Sequence, residues 1–374
     1  MNIPFNKPYL TGNELAYIGE AQTSGRLSGN GPFAKRCCRW LEREIGCGKA
    51  LLTHSGTAAL EMAAILSGVG PGDEVIMPSF TFVSTANAFV LRGATPVFVD
   101  VRPDTLNIDE TKIERAVTPR TRAIVPVHYA GVACEMDAIM DIARRHDLLV
   151  IEDAAQGILA RYKGRPLGGI GHLAALSFHE TKNITSGEGG ALLVNDVQFS
   201  ERAEIVFEKG TNRRQFLEGQ VEKYTWIDVG SSYVAGEIIA AFLWAQMERA
   251  DEITGRRLEI WGNYHKEFEN LEALGARRPI IPRECTHNAH IYYLLLPNLE
   301  RRSAFIARLK IKGIQAVFHY VPLHSAPFGR AVGRADADMS ITDRVADQLV
   351  RLPLWLGVDE RRVSDEVIAA LGPP

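Results

Sequence analysis

The sequence predicts an α/β protein in two parts. Residues 1–250 read as a large domain with an N-terminal arm and a doubly wound, mostly parallel sheet, and residues 251–374 as a small α+β domain. Three observations predict it. A chain of 374 residues exceeds what one small core accommodates. Between about residues 49 and 195 short apolar runs alternate with stretches of helical spacing. Beyond residue 250 that alternation gives way to a long charged helix and a few scattered strands.

In order, Lys49–Leu52, Glu74–Met77, Val97–Asp100, Arg122–Val127, Leu148–Ile151, Leu173–Phe178 and Gly190–Val194 have the length and apolarity of buried strands. Between them, Thr57–Leu66 is rich in helix formers and Ser84–Leu91 can be helical. Glu135–Arg145 places Met136, Ile139, Met140 and Ala143 at helical spacing. The apolar helix Glu237–Gln246 leads into a long surface helix, Arg249–Asn270. In the remainder, Ile291–Leu296 and Val317–Val321 read as strands, and Ala304–Leu309 and Asp365–Leu371 as helices.

Composition narrows the function classes. The 42 basic and 45 acidic side chains leave a net charge of -3 with no block of one sign, so nothing favours nucleic acid or a membrane surface. No apolar run approaches the roughly 18 residues of a spanning helix, and the N-terminus has no leader pattern. Cys37, Cys38, Cys47, Cys134 and Cys285 are an odd, scattered set without metal-ligand spacing. Reduced thiols, a cytoplasmic location and no bound metal are the expectation.

Chemistry is expected where strands end. Leu148–Ile151 runs into Glu152 and Asp153, a carboxylate placed to face a ligand or to cap a helix. Leu173–Phe178 leads to Lys182 and then to the glycine-rich Gly187–Gly190, which either approaches a bound group or only links two strands. Ser55, Gly56 and Thr57 open a helix after a strand, offering free N–H groups to an anion or merely a cap. Each has an ordinary explanation alone. Together they match pyridoxal 5'-phosphate (PLP), which needs an amine for a Schiff base, a carboxylate for its ring nitrogen and a phosphate cradle.

The motifs SGTAAL (Ser55–Leu60), PGDEVIMPSFTFVSTANA (Pro71–Ala88), VFVDV (Val97–Val101), IVPVHYAG (Ile124–Gly131), IEDAAQ (Ile151–Gln156), SFHETKN (Ser177–Asn183) and GEGG (Gly187–Gly190) carry a resemblance over nearly the whole chain. It is similar to the DegT/DnrJ/StrS sugar-nucleotide aminotransferases, PLP enzymes of fold type I. A narrower likeness lies in GPFAKRCCRWLE (Gly31–Glu42), VPVHYAGVACEMD (Val125–Asp137), EKGTNR (Glu208–Arg213), KYTW (Lys223–Trp226), WAQ (Trp244–Gln246), NAH (Asn288–His290) and AVFHYVPLH (Ala316–His324). These resemble family members that aminate C4 of dTDP-4-dehydro-6-deoxyglucose.

The resemblance implies roles. Lys182 would hold the cofactor and shuttle a proton, Asp153 would pair with the ring nitrogen, and Gln156 would bond the phenolic oxygen. Phe82 would stack on the ring, although composition alone assigns it to a core, and Gly56, Thr57 and Ser177 would hold the phosphate. The family's partner-subunit Asn, in a Gly-x-Asn-Tyr-Arg motif, is replaced here by Ser232, which puts that contact in doubt. His324 lies where the sugar nucleotide approaches, or is a satisfied interface histidine. Arg213 and Arg214 are diphosphate candidates by charge. Small-molecule substrates (L-glutamate and a sugar nucleotide) and a homodimer or larger homo-oligomer complete the picture. Three rivals remain at this level. They are a sister transaminase of other regio- or stereochemistry, a sugar dehydratase (which tends to carry His in place of the lysine) and a non-catalytic regulator.

Overall fold

Apolar runs of four or five residues, buried on both faces, give the large domain its sheet. Its strands are β1 (Lys49–Thr53), β2 (Glu74–Pro78), β3 (Thr95–Val99), β4 (Thr121–Ile124), β5 (Leu149–Asp153), β6 (Leu173–Ser177) and β7 (Gly190–Val194). The small domain contributes β8 (Tyr292–Leu295), β9 (Val317–Phe318), β10 (Arg334–Ala335) and β11 (Leu349–Leu352). The structure is a computed structural model and describes residues 2–335 and 338–372.

The large sheet runs β1-β7-β6-β5-β4-β2-β3-β10, parallel except for β7, which is antiparallel to both neighbours. That exception is what assembles the site. Gly190 of β7 is in register with Thr53 of β1 on one side and Ser177 of β6 on the other. The carboxyl ends of β1, β5 and β6 therefore share one edge of the sheet. Helix Gly56–Leu66 starts beside Ser177 there, and the loop from β6 to β7 carries Lys182. A Cβ on Gly190 would fall 2.4 Å from Gly56 N, so only glycine permits this approach.

Helices cover both faces, as the alternating pattern requires. Helix Pro32–Ile45 buries Phe33, Ala34, Cys37, Trp40, Leu41 and Ile45 along one stripe. Its free N–H groups are met from afar: buried Glu237 accepts from Phe33 N at 2.9 Å and Ala34 N at 3.0 Å. This helix, Glu14–Thr23 and β11 are elements that the sequence reading did not single out.

In the small domain β11 is central, antiparallel to β8 and β9. One face of that sheet, with Tyr292, Leu294, Val350 and Leu352, packs in the small domain's own core beside Phe305, Leu309 and Val367. The other face presents Ile291, Tyr293 and Leu295 to Phe80 and Tyr129 of the large domain. Arg351 is in register with Tyr293 and Val317, so it shares that inward face.

Residue 250, where the sequence reading places a boundary, lies at the start of a helix rather than in a linker. Ala250 and Ile253 of helix Ala250–Glu267 pack in the large-domain core, and Ile260, Trp261 and Tyr264 in the small one. Two segments cross it: Ile3 bridges to Ile314, and β10 extends the large sheet beside β3. The strand expected over Val317–Val321 stops at Phe318, since the residue before a proline is biased out of regular pairing and Pro322 has no N–H. The helices expected from Ala304 and Asp365 begin earlier, at Leu299 and Glu360, each behind a side-chain cap from Asn298 or Asp359. No helix among the described residues is long and apolar enough to cross a membrane.

Candidate active site

Alternation along β5 sends its two terminal acids to opposite faces. Glu152 turns inward and is wholly buried, accepting from Gly168 N (2.8 Å), Ile170 N (2.7 Å), Gly171 N (2.6 Å) and His128 Nε2 (2.9 Å). Burial alone would raise its pKa, but His128 and these N–H groups hold it below the usual carboxylate value. Asp153 turns the other way, to a cavity of about 590 Å³ between the domains. Its Oδ2 accepts from Thr85 Oγ1 at 2.7 Å and its Oδ1 from Ala155 N at 3.1 Å. Asp153 thus closes a turn rather than capping a helix, and each oxygen keeps a lone pair for a ligand.

Lys182 faces the same cavity, and its Nζ makes no hydrogen bond among the described residues. Burial pushes its pKa down to about 8, against an upward pull from Asp153 and with a further push down from Arg351. An appreciable fraction of the amine is therefore neutral near physiological pH, as a nucleophile requires.

The cradle sits at the start of helix Gly56–Leu66. Ser55 caps it by accepting from Ala58 N at 3.0 Å, leaving the N–H groups of Gly56 and Thr57 without intrahelical partners. Gly56 is obligatory here, because a Cβ would lie 2.9 Å from Ser177 Cβ. Thr57 Oγ1 and Ser84 Oγ are 2.7 Å apart and both line the cavity, as does Ser177. Phe82, 58% exposed, stands on the cavity wall and not in a core; Phe80, two residues away, is the buried one. Gln156 Oε1 accepts from Ala130 N at 2.7 Å, and its Nε2 donates to Tyr320 at 3.3 Å.

Lys182, Asp153, Gln156, Gly56, Thr57, Phe82 and Ser177 therefore converge on one cavity. The structure does not bring Arg213, Arg214, Ser232 or His324 there. Arg213 is exposed on the short helix Arg213–Leu217 and pairs with Glu208 at 3.4 Å, and Arg214 pairs with Glu204 and Glu218. Ser232 is exposed at an isolated bridge to Glu208. His324 Nδ1 hydrogen-bonds Ser79 Oγ at 2.8 Å, its Nε2 lies 3.3 Å from Asp343 Oδ1, and the residue lies outside the cavity lining.

The residues present fit PLP: an unpaired amine, a carboxylate with free lone pairs, an exposed aromatic wall and a neutral anion cradle surround one space. Comparison with known proteins settles the class. The DegT/DnrJ/EryC1/StrS aminotransferase family matches residues 8–372. The chain belongs to this family. The spore coat polysaccharide biosynthesis protein SpsC of Bacillus subtilis is 34% identical over 98% of this chain and 96% of the relative. GDP-perosamine synthase of Caulobacter vibrioides is 36% identical over 97% of this chain and 96% of its own length. Spr1654 of Streptococcus pneumoniae, solved in its PMP form, superposes with a TM-score of 0.92 at 26% identity, covering 99% of each chain. The protein is a PLP-dependent sugar aminotransferase with the fold of the type I enzymes.

Sequence reasoning missed the cavity's second wall. Arg257, His290, Ile291, His319, Tyr320 and Arg351 all come from the small domain or the helix leading into it. His290, His319 and Tyr320 lay in motifs read only for resemblance. Arg257 and Arg351 carry no local signal, since an arginine in a charged helix or a short strand looks like surface. Burial, then Lys182 among nearby cations, drives the pKa of His290 well down; burial, then Arg351, does the same for His319. Both are neutral imidazoles. Asn183 Nδ2 donates to Asn288 O at 2.7 Å, so its Oδ1 must accept from His290 Nδ1 at 3.0 Å, leaving Nε2 of His290 as a lone-pair site.

Proposed function

We propose that the chain transfers the amino group of L-glutamate to C4 of dTDP-4-dehydro-6-deoxy-D-glucose, for synthesis of a surface polysaccharide. The products are dTDP-4-amino-4,6-dideoxy-D-galactose and 2-oxoglutarate. The observation that carries the transfer chemistry is the unpaired Lys182 amine facing the same cavity as Asp153 and the cradle at Gly56 and Thr57. The choice of sugar rests on the narrower motif resemblance, from Gly31–Glu42 to Ala316–His324. Relatives named for spore coat polysaccharide and for GDP-perosamine are consistent with it.

When bound, PLP supplies an aldehyde for the incoming amine and a ring that delocalises the electron pair left by proton removal. The chain's residues do the rest. The Lys182 amine would hold the cofactor and move a proton at Nζ. Asp153, fixed by Thr85, would keep the ring nitrogen protonated. Phe82 would supply an aromatic surface for the ring, and Gln156 offers the amide hydrogens of Nε2 beside Tyr320. Gly56, Thr57 and Ser177 would hold the phosphate with neutral donors at a helix start.

Ser232 and Arg213 belong to an exposed stretch with Leu217 at 71% and Trp226 at 79% accessibility. We assign that surface to a homodimer contact, through which Ser232 would reach a partner's phosphate cradle. Product NMR tests the sugar assignment after incubation with PLP, L-glutamate and dTDP-4-dehydro-6-deoxyglucose. An axial C4 amine is expected. An equatorial C4 amine, or amination at C3, defeats the sugar assignment while leaving the aminotransferase class intact.

A further inference from the structure

The cavity's second wall holds positive charge that the chemistry above does not use. Arg257 is 5% exposed, yet among the described residues its guanidinium bonds only carbonyls: Nε donates to Ala289 O at 3.1 Å and Nη2 to His290 O at 2.7 Å, and Nη1 bonds nothing there. Arg351 lies over the Phe5 ring at 4.6 Å and makes one long bond, Nη2 to Phe318 O at 3.3 Å, while its buried Nε has no hydrogen-bond partner among the described residues. Neither is ion-paired with a carboxylate among the described residues. Burial drives the pKa of Arg257 down to about 9 and lowers that of Arg351, the mark of cations lacking a counter-charge. Buried guanidinium groups are costly unless a partner answers them.

We propose that Arg257 and Arg351 form the subsite for the carboxylate of the amino-acid donor and of the keto acid that leaves. A guanidinium fork can meet a carboxylate or a phosphate in two parallel hydrogen bonds, and position decides between the donor carboxylate and the diphosphate of the sugar nucleotide. Both arginines line the cavity that Lys182 faces, beside Phe5, Ile291, Leu352 and Leu354. An amino acid's carboxylate is one carbon removed from its reacting nitrogen, so its anion site must share the cavity with Lys182, as these arginines do. A keto sugar has no carboxylate, but its hydroxyls can accept from the same N–H groups when the two substrates take turns. The cofactor phosphate, held on the opposite wall by neutral donors, does not compete for them.

The inference rests on the amino-acid donor proposed above and not on the identity of the sugar. The test uses holoenzyme without sugar, as wild type, Arg351→Gln, Arg351→Lys and Arg257→Gln. Spectral titration with L-glutamate follows the donor half-reaction. Calorimetry follows binding of succinate, which has no amine to react, and of dTDP. Each Gln variant is expected to weaken L-glutamate and succinate about 10–100-fold, the range for a charge-assisted hydrogen-bonded contact. Arg351→Lys should lose less, and dTDP affinity should stay within about twofold. Unchanged succinate affinity in folded variants overturns the proposal, as does loss of dTDP affinity in place of succinate. Should Arg257→Gln not fold, the two Arg351 variants decide. Wild-type holoenzyme that reacts with no amino acid defeats the donor reading itself, a result distinct from a variant that keeps its affinity.

Discussion

On the large-domain wall of the cavity the structural charges are answered by the protein, and on the small-domain wall they are not. On that wall Asp153 meets Thr85 and Ala155 N, and behind it, on the other face of the sheet, Glu152 meets His128 and three backbone N–H groups. Across the cavity, Arg257 meets backbone carbonyls and Arg351 a carbonyl and the Phe5 ring, and neither meets a carboxylate among the described residues. The first wall is preorganised for a resident group and positions it through fixed hydrogen bonds. The second leaves its strongest donors open, as a wall must that receives a substrate and releases a product in each cycle.

The comparison can be broken most severely at Lys182, which stands between the walls. Lys182→Ala is expected to lower transamination by roughly 10²–10⁴-fold or more, measured as release of 2-oxoglutarate, and borohydride should no longer fix cofactor to the chain. The same residue reports the field of the second wall. In cofactor-free protein its amine should react with an acylating reagent along a titration centred near pH 8, because burial and Arg351 disfavour the protonated form. An ordinary lysine would titrate near about 10.4. Since the folded pKa is the lower one, the penalty for the charged amine is present below pH 8 and is relieved as pH rises through that value. Arg351→Gln removes a depressing cation and should move the midpoint upward; a downward move would mean that Arg351 does not act on this amine.

The support behind the answered wall is probed by Glu152→Ala, which strands His128 and three N–H groups in the core. Loss of a buried pair of this kind costs about 3–5 kcal/mol, read by denaturant unfolding of cofactor-free protein. A change below about 1 kcal/mol, the usual surface level, would show that this network does not hold the end of β5. The smallest effect is expected for Phe82→Ala. An aromatic stacking contact is worth about 0.5–1.5 kcal/mol, so PLP affinity should fall by a few fold with little change in unfolding, given the 58% exposure of this side chain.

The same contrast explains what was legible beforehand. The strands from Lys49 to Val194 announced themselves because parallel sheets buried on both faces need unbroken apolar runs. Asp153, Lys182 and Gly56 could be found because each ends its strand or follows it within a few residues, where the chain must turn at the sheet edge. Phe82 shows the limit of composition: an aromatic beside a helix start reads as core, and only its place at the sheet edge puts it on a cavity wall. Arg213, singled out by charge, and His324, singled out by resemblance, do not line the cavity of this chain. Arg213 is paired with Glu208, and His324 is held between Ser79 and Asp343, so neither faces this cavity.

The sequence by itself determined the large sheet, the cofactor chemistry and the residues at the strand ends, because periodicity and turn chemistry act over a few residues and leave a local record. Tertiary structure alone decided the second wall. It also decided the antiparallel insertion of β7 that sets Gly56 beside Ser177, and the opposite fates of Glu152 and Asp153. Those depend on which segments, up to a few hundred residues apart, are packed face to face, and an arginine left without a carboxylate is recognisable only once its neighbours are in place.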